Sequence, residues 1–373
     1  MKAKISQIAP LDGLRGIAAL MVIVFHGWQF GVFDGLPVSS HYFKVAKFGQ
    51  TGVDLFFVLS GFLITRILLD TRGGPGFFRN FYARRMLRIF PLYYFFLIIY
   101  VFVVPFLEGQ PAAPFGRYWW FFVFLQNIPP TFHSITSFVP GHYWSLAVEE
   151  HFYLLWPLLV FATPPRRLVW WSGLIILAAL ACRWWFLFEL KLDVFYCTPC
   201  RMDALAWGTL LACLEANGGI FKLSRVFLVI LLILMPVLSV VWIRFSDNGA
   251  NWLELVKYTF VGAIYWALLG LIISHQATKL VRQLLANAGL RFVGKISFGL
   301  YVYQALSYHV INRCVSVSKH GLTAFALVVM LTLVVSWASF RFYETPFLKL
   351  KRFFEYTGRK SADFSPHPTS PPL

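Results

Sequence analysis

Ten apolar runs, each about long enough to cross a lipid bilayer, constrain this chain more than any other feature of its sequence. A hydrocarbon core of roughly 30 Å takes about 20 helical residues. Runs of about that length lie near residues 14–33, 51–70, 88–107, 142–162, 168–188, 201–216, 224–244, 254–274, 292–312 and 322–344. The sequence therefore predicts an all-α integral membrane protein with about ten transmembrane helices in one bundle.

The composition excludes a soluble globular domain. Hydrophobic residues make up 58% of the chain and charged residues only 13%, well outside the range of water-soluble proteins. A shorter apolar run at 118–125 cannot span a bilayer, and we interpret it as an interfacial or re-entrant piece.

The basic residues act as topology signals. The formal net charge is +17, but the Lys and Arg residues form no stripe of the kind that binds nucleic acid. With the N-terminus inside, about nineteen fall in inner loops and about six in outer loops, a bias that predicts cytoplasmic N- and C-termini. We expect a multi-pass protein of the plasma (bacterial inner) membrane, in contact with lipid. Lys2 and Lys4 resemble the start of a signal peptide, but Asp12 and Arg15 interrupt the run, so the first span is expected to stay uncleaved.

The domain organisation is simple. We predict a membrane domain over 1–350 and a basic, disordered cytoplasmic tail over 351–373. No internal repeat is visible, which weakens a transporter interpretation.

The five cysteines, at positions 182, 197, 200, 213 and 314, have no two-pair zinc spacing, and no metal site is expected. We expect Cys197 and Cys200 to lie in a short exposed loop or form a local disulfide.

Ionisable groups inside membrane helices are functional candidates because burying them in lipid is costly. The first run holds Arg15 and His26, eleven positions apart, which places them on one helix face about 16 Å apart. Arg15 suits a phosphate or carboxylate, and His26 suits proton transfer. A structural role for His26 remains open.

Near its start the fourth run carries Trp144 and Ser145, followed by Glu149, one turn from Ser145 on the same face. Glu149 could orient His26 or bind substrate. The alternative is a structural ion pair with a membrane arginine such as Arg201.

A basic cluster, Arg84, Arg85 and Arg88, precedes the third run at the cytoplasmic boundary. Such clusters usually anchor topology or touch anionic lipid, but they also suit the phosphates of a nucleotide-like donor. The remaining embedded polar candidates for structural or acceptor-side support are Asp12, Asp54, Ser60, Tyr153, Arg201, Asp203, Ser297, Tyr301 and Glu344. Arg201 and Asp203 are two positions apart, so on a helix their side chains face different sides and each is expected to have its own partner.

Six motifs in this order resemble the acyltransferase-3 family of membrane O-acyltransferases. They are LDGLRG at 11–16 followed by His26, GVDLFFVLSGF at 52–62, RRMLRIFP at 84–91, WSLAVE at 144–149, RMDAL at 201–205 and YETPF at 343–347. The resemblance covers about residues 8–348. One departure lies in the ninth span, where the family often ends its motif with His and this chain has Gln304.

The resemblance implies a ten-span helical fold, a cytoplasmic acyl-CoA donor, most simply acetyl-CoA, and a saccharide or other hydroxylated acceptor. It implies that His26 is the essential catalytic residue, Arg15 its partner, and Arg84, Arg85 and Arg88 the donor-side cluster. No permanently bound cofactor is implied. The chain is expected to complete the transfer itself or to pass the acyl group to a separate partner.

These observations lead to a mechanistic hypothesis. Acyl-CoA docks at the arginine cluster, and His26 deprotonates a hydroxyl of a cell-surface saccharide or lipid-linked sugar, with Glu149 holding the imidazole or the sugar. A covalent acyl-histidine intermediate is a second possibility. The rivals are a transporter or flippase of a lipid-linked sugar, an acyltransferase acting on a small molecule, and a non-catalytic scaffold.

Overall fold

A computed structural model describes residues 8–31, 40–107, 109, 116, 118–132, 140–245, 251–315 and 317–356. Secondary structure in these ranges is helical throughout. The predicted disordered tail lies largely outside the described residues, apart from 351–356.

Seventeen α-helices make up the described chain. They are α1 (Ala9–Gln29), α2 (Ser40–Phe48), α3 (Gly52–Thr71), α4 (Phe77–Ile98), α5 (Val104–Leu107), α6 (Trp119–Phe122), α7 (Ile128–Phe132), α8 (Trp144–Ala162), α9 (Pro165–Trp184), α10 (Thr198–Ala216), α11 (Ser224–Phe245), α12 (Asn251–Ile273), α13 (Lys279–Leu285), α14 (Ala288–Lys295), α15 (Ser297–Cys314), α16 (Val317–Ala338) and α17 (Thr345–Lys349).

Short π-helical turns extend three of the long helices. They follow α4 at Ile99–Val103, α9 at Trp185–Glu189 and α16 at Ser339–Glu344.

Among the described residues, eight stretches are long and apolar enough to cross a membrane. They are Ala9–Gln29, Lys44–Thr71, Phe77–Phe106, Gly141–Ala162, Pro165–Glu189, Ile220–Trp242, Asn251–Ile273 and Gly321–Phe353. The other two predicted spans coincide with α10, which carries Arg201, Asp203 and Glu215, and with α15, which is rich in polar residues. The count of ten spans and the orientation of the termini therefore stay predictions.

Two boundaries differ from the sequence prediction. Helix α4 begins at Phe77, eleven residues before the predicted span, so the arginines at 79, 84, 85 and 88 lie on its first turns rather than in a loop. The predicted exposed loop or disulfide at Cys197 and Cys200 is wrong: both thiols are free and buried at the start of α10. Four arginines between Phe77 and Arg88 lower the local hydropathy, which is why the hydropathy scan began the third run too late.

Helix α10 lies at the centre of the bundle, where it packs against α3, α8, α9 and α12. Its contact with α3 is close because two glycines face the opposing backbones. A Cβ on Gly61 would lie 2.0 Å from the Leu205 carbonyl oxygen, and a Cβ on Gly208 would lie 2.1 Å from that of Val58. Small residues commonly allow membrane helices to approach in this way. The approach brings Asp54 and Ser60 of α3 next to the polar groups of α8 and α10.

Replacing Gly208 by Ala is expected to lower the free energy of unfolding by about 1–3 kcal/mol, since the new methyl group meets backbone that cannot move away without separating α3 from α10. Thermal unfolding in detergent measures the change. Gly173→Ala on α9 is the matched control, because no atom lies within 4 Å of its added Cβ, and it should be neutral or stabilising by up to about 1 kcal/mol. Equal behaviour of the two variants would contradict the close packing.

Candidate functional site

Two cavities in the bundle collect most of the predicted site residues. The first, which we call the arginine cavity, has an empty volume of about 720 Å³ including its open mouth. Nine predicted residues line it: Arg15, Ser60, Arg85, Arg88, Ser145, Glu149, Tyr153, Ser297 and Tyr301. The second, the histidine cavity, measures about 1360 Å³ on the same basis. It is lined by His26 and Trp144 together with His142, Asp193, Tyr196 and His309, and again by Tyr301.

Helix α1 connects the two cavities. Arg15 lines the arginine cavity and is paired with Asp12 one turn earlier, at 2.9 Å. His26 follows eleven residues later, about 16 Å along the helix axis, and lines the histidine cavity. Arg15 and His26 therefore lie on one helix but line different cavities.

Arg85 and Arg88 extend from α4 into the arginine cavity without acidic partners. In the described ranges, no carboxylate oxygen lies within 4 Å of either guanidinium group. The Arg85 guanidinium lies 5.2 Å from the centre of the Tyr153 ring. Carboxylates act on these arginines only at longer range: Glu149 on both, Glu150 on Arg85 and Glu344 on Arg88. Two arginines facing a cavity without carboxylate partners are well suited to bind an anion.

Arg84 is directed elsewhere. Its Nη1 donates to the carbonyl oxygens of Lys351 at 2.9 Å and Phe354 at 3.2 Å, and its guanidinium lies 4.7 Å from the Tyr356 ring centre. Asn80 donates to the Glu355 carbonyl oxygen at 2.8 Å. The structure thus brings Arg85 and Arg88 together in the cavity, whereas Arg84 holds the segment that follows α17.

Glu149 does not meet His26 in this structure. Its Oε1 accepts a hydrogen bond from Ser60 on α3 at 2.7 Å, inside the arginine cavity. Ser145, one turn earlier on α8, bonds instead with the Tyr301 hydroxyl at 2.5 Å. The shared face of Ser145 and Glu149 is present, but it turns towards α3 and α15 rather than towards His26.

A backbone carbonyl fixes one nitrogen of the His26 ring, and the ring lines the histidine cavity beside Gln304. Nδ1 lies 3.0 Å from the Val22 carbonyl oxygen, and because a carbonyl only accepts, Nδ1 carries the proton. Nε2 is then the unprotonated, basic nitrogen of the neutral ring. Gln304, buried on α15, lies beside the imidazole and donates from Nε2 to the Tyr301 carbonyl oxygen at 3.2 Å. The ring is thus held as a proton acceptor facing a cavity.

His142 is a site residue that the sequence analysis missed. Its ring centre lies 6.4 Å from that of His26, and its Nε2 donates to the Val302 carbonyl oxygen at 3.3 Å. The available signal was a histidine at the first position of the fourth apolar run, three residues before Ser145.

Tyr301 forms the wall between the two cavities. Together with Val53 it lines both of them. Its hydroxyl donates to the His142 carbonyl oxygen and also bonds with Ser145. A group that passes from the arginine cavity to His26 therefore has to pass beside this ring.

Two buried ion pairs support the site from α10. Arg201 pairs with Asp54 of α3 at 2.8 Å, and its guanidinium lies 3.8 Å from the Tyr258 ring centre. Asp203 pairs with Arg183 of α9 at 2.9 Å. Arg201 and Asp203 thus face different partners, and Arg201 is bound to Asp54 rather than to a glutamate of α8.

The remaining acidic candidate, Glu344, accepts a hydrogen bond from Ser339 at 3.3 Å. In the described ranges, no group of three or more His, Cys, Asp and Glu side chains is placed to hold a metal ion.

Comparison with known proteins identifies relatives of the whole bundle. The model of the acyltransferase domain family, acyltransferase family 3, matches residues 8–341. The peptidoglycan O-acetyltransferase OatA of Listeria monocytogenes is 28% identical over 92% of this chain and 56% of its own length. YrhL of Bacillus subtilis, provisionally named a peptidoglycan O-acetyltransferase, is 30% identical over 91% of this chain and 54% of its own. The chain spans a little over half the length of these relatives. No solved structure matches it significantly.

Replacing Asp54 by Ala is expected to lower the free energy of unfolding by about 3–5 kcal/mol, because it leaves the buried Arg201 charge without its partner. Thermal unfolding in detergent tests this. The control is Glu215→Ala, which breaks the more exposed Arg66–Glu215 pair at 3.4 Å and should cost less than about 1 kcal/mol. Similar losses from both variants would show that the Asp54 pair is no more critical than a peripheral one.

Proposed function

The chain belongs to the acyltransferase-3 family of membrane acyltransferases, and from that premise we propose its donor, its acceptor and its chemical route. The protein moves an acyl group, most simply acetyl, from acyl-CoA on the cytoplasmic side to a hydroxyl of a cell-surface saccharide or lipid-linked sugar. Peptidoglycan O-acetyltransferases among its relatives support the saccharide acceptor.

One observation carries this proposal. A cavity with two arginines that form no ion pair among the described residues and a cavity with a basic imidazole nitrogen meet at a common wall formed by Val53 and Tyr301. Acyl transfer between a charged donor and a sugar needs these two environments, an anion site and a proton acceptor, within reach of one reacting carbonyl.

The arginine cavity is the donor site in this proposal. Arg85, Arg88 and Arg15 bind the phosphates of coenzyme A through charge-assisted hydrogen bonds. The thin pantetheine arm then extends along Ser60 and Ser145 and brings the thioester to Tyr301. Arg84 supports this site indirectly by holding the segment 351–356 against α4.

The proposed orientation follows from the charge distribution. Arg72, Arg79 and Arg84 lie at or near the same end of α4 as the donor arginines, and basic residues favour the cytoplasmic side of a membrane. Acyl-CoA is made in the cytoplasm, so the arginine cavity opens there and the histidine cavity lies towards the outer side.

The chemical step uses His26 as the general base. The acceptor oxygen attacks the thioester carbonyl while its proton passes to His26 Nε2. The carbon–sulfur bond then breaks, the imidazolium returns the proton to the coenzyme A thiolate, and the products are an ester and free coenzyme A. Because Nδ1–H is bound to Val22, the ring needs no rotation to present Nε2 to the hydroxyl.

His26→Ala is expected to lower acyl transfer by about 10²–10⁴-fold, the contribution typical of a general base. The measurement follows free thiol released from acetyl-CoA together with the mass increment on envelope glycans of cells carrying each variant. His275→Asn is the control, because His275 is exposed on a turn with φ of 59°, a conformation that Asn tolerates.

Full activity in His26→Ala, with normal protein abundance, would remove His26 from the chemistry. Unchanged envelope glycans despite thiol release by the wild type would contradict the saccharide acceptor and point to a small molecule. Absence of thiol release with every acyl-CoA tested would favour a transporter of a lipid-linked sugar.

Arg88→Gln is expected to weaken acetyl-CoA binding by about 10–100-fold, since it removes a charge-assisted contact with a phosphate. Isothermal titration of the purified protein with coenzyme A measures the affinity. Raising the salt concentration should weaken wild-type binding more than binding by the variant. Arg167→Gln, at an exposed position at the start of α9, should leave the affinity unchanged, and an equal loss in both variants would contradict a specific phosphate contact.

A further inference from the structure

The histidine cavity contains a second imidazole whose role the proposed function does not use. His142, only 8% exposed, lies at the start of the helical segment that leads into α8, and its ring centre is 6.4 Å from that of His26. The two ring planes stand 79° apart. Both side chains line the same open space.

Each ring has one nitrogen occupied by a backbone carbonyl. His26 donates from Nδ1 to Val22, and His142 donates from Nε2 to Val302. Each carbonyl fixes which nitrogen carries the proton. In their neutral forms the rings therefore leave two lone pairs, His26 Nε2 and His142 Nδ1, and neither ring can donate to the other.

Two acceptor nitrogens on rings that line one cavity define the chemistry of a ligand. It needs two donating groups at a short separation. A pair of hydroxyls on adjacent carbons has this arrangement, because each can donate across about 2.7–2.8 Å to one nitrogen. A single alcohol would satisfy only one ring and leave the other lone pair unmatched, which is unfavourable in a largely buried site.

We propose that His142 is a positioning residue that makes a vicinal diol the acceptor recognised by this protein. His26 takes the proton of the hydroxyl that becomes acylated, while His142 Nδ1 accepts a hydrogen bond from the neighbouring hydroxyl and fixes the direction of attack. This inference rests on the proposed transfer to a saccharide and adds which part of the sugar is bound.

The position of His142 fits this role because its main chain is held independently of its ring. Tyr301 donates its hydroxyl proton to the His142 carbonyl oxygen, a contact that every side-chain variant at position 142 keeps. The wall between the cavities should therefore survive replacement of the imidazole, and a change in acceptor recognition can be separated from loss of the site.

The experiment uses the full chain in lipid nanodiscs with acetyl-CoA and small glycosides. The probes are methyl N-acetyl-β-glucosaminide and its monodeoxy analogues, each lacking one hydroxyl, and thiol release and product mass are measured for each. The variants are His142→Phe, His142→Asn and His142→Gln. Asn places its Oδ1 where Nδ1 lies in histidine, whereas Gln reaches the position of Nε2, so only Asn retains an acceptor facing the ligand.

The wild type should acylate the parent glycoside about 10-fold more efficiently, in kcat/KM, than the one deoxy analogue that lacks the neighbouring hydroxyl, as expected for one lost hydrogen bond. His142→Phe should raise the KM for the parent glycoside about 10-fold. Its kcat/KM should then be the same for the parent and for the deoxy analogue that lacks the neighbouring hydroxyl. His142→Asn should recover part of the discrimination and His142→Gln should not. His309→Phe serves as a comparison at another histidine of the cavity and should keep the discrimination.

The outcomes separate this inference from the proposed function. A His142→Phe variant that is less active but still discriminates between parent and deoxy probe would make His142 merely structural, and would overturn the inference while leaving acyl transfer intact. A wild type that acylates parent and every deoxy analogue equally would overturn it as well. A wild type that releases no thiol with any glycoside would overturn both proposals.

Discussion

The buried ion pairs on α10 are the constraint on which the rest of the bundle depends. Arg201 and Asp203 lie in the most enclosed part of the structure, and their partners come from α3 and α9. In a lipid environment such charges are costly unless they are paired, so the two ion pairs favour the observed register of α3, α9 and α10. The glycine contacts between α3 and α10 bring the backbones close enough for the Arg201–Asp54 pair to form. This register places Ser60 beside Glu149, and thus determines one wall of the arginine cavity.

Periodicity and hydropathy predicted the helices well but not their neighbours. The ten apolar runs all coincide with helices, since apolar length is encoded locally. Helices α10 and α15 proved too polar to be counted as spans by composition, and α4 began eleven residues before the predicted run. Residue spacing correctly predicted which side chains share a face of one helix, as for Ser145 and Glu149, because spacing fixes the angle between them. It did not predict which helix that face would meet, and so Glu149 lies next to Ser60 rather than His26.

The prediction of site residues has the same limit, because residue type does not show which other helix a side chain contacts. Arg85 and Arg88 were candidates by residue type, and the structure places them in a cavity; Arg84, identical in type, holds the C-terminal segment instead. Arg183 and His142 were not selected, although both are central, because a lone arginine or histidine has no distinctive local pattern. Their partners are a carboxylate from α10 and a carbonyl from α15, and contacts of that kind cannot be predicted from neighbouring residues in the chain.

The wall formed by Val53 and Tyr301 separates the two cavities and so bears on ion leakage across the membrane. In the proposed orientation the two cavities open towards opposite sides of the membrane, and if they merged they would form a water-filled path for ions and protons through it. The Tyr301 hydroxyl is held by the His142 carbonyl group and by Ser145, so two neighbours fix the ring between the cavities. Under the proposed function, this wall would let an acyl group pass between the two sides while the bilayer keeps its electrical insulation.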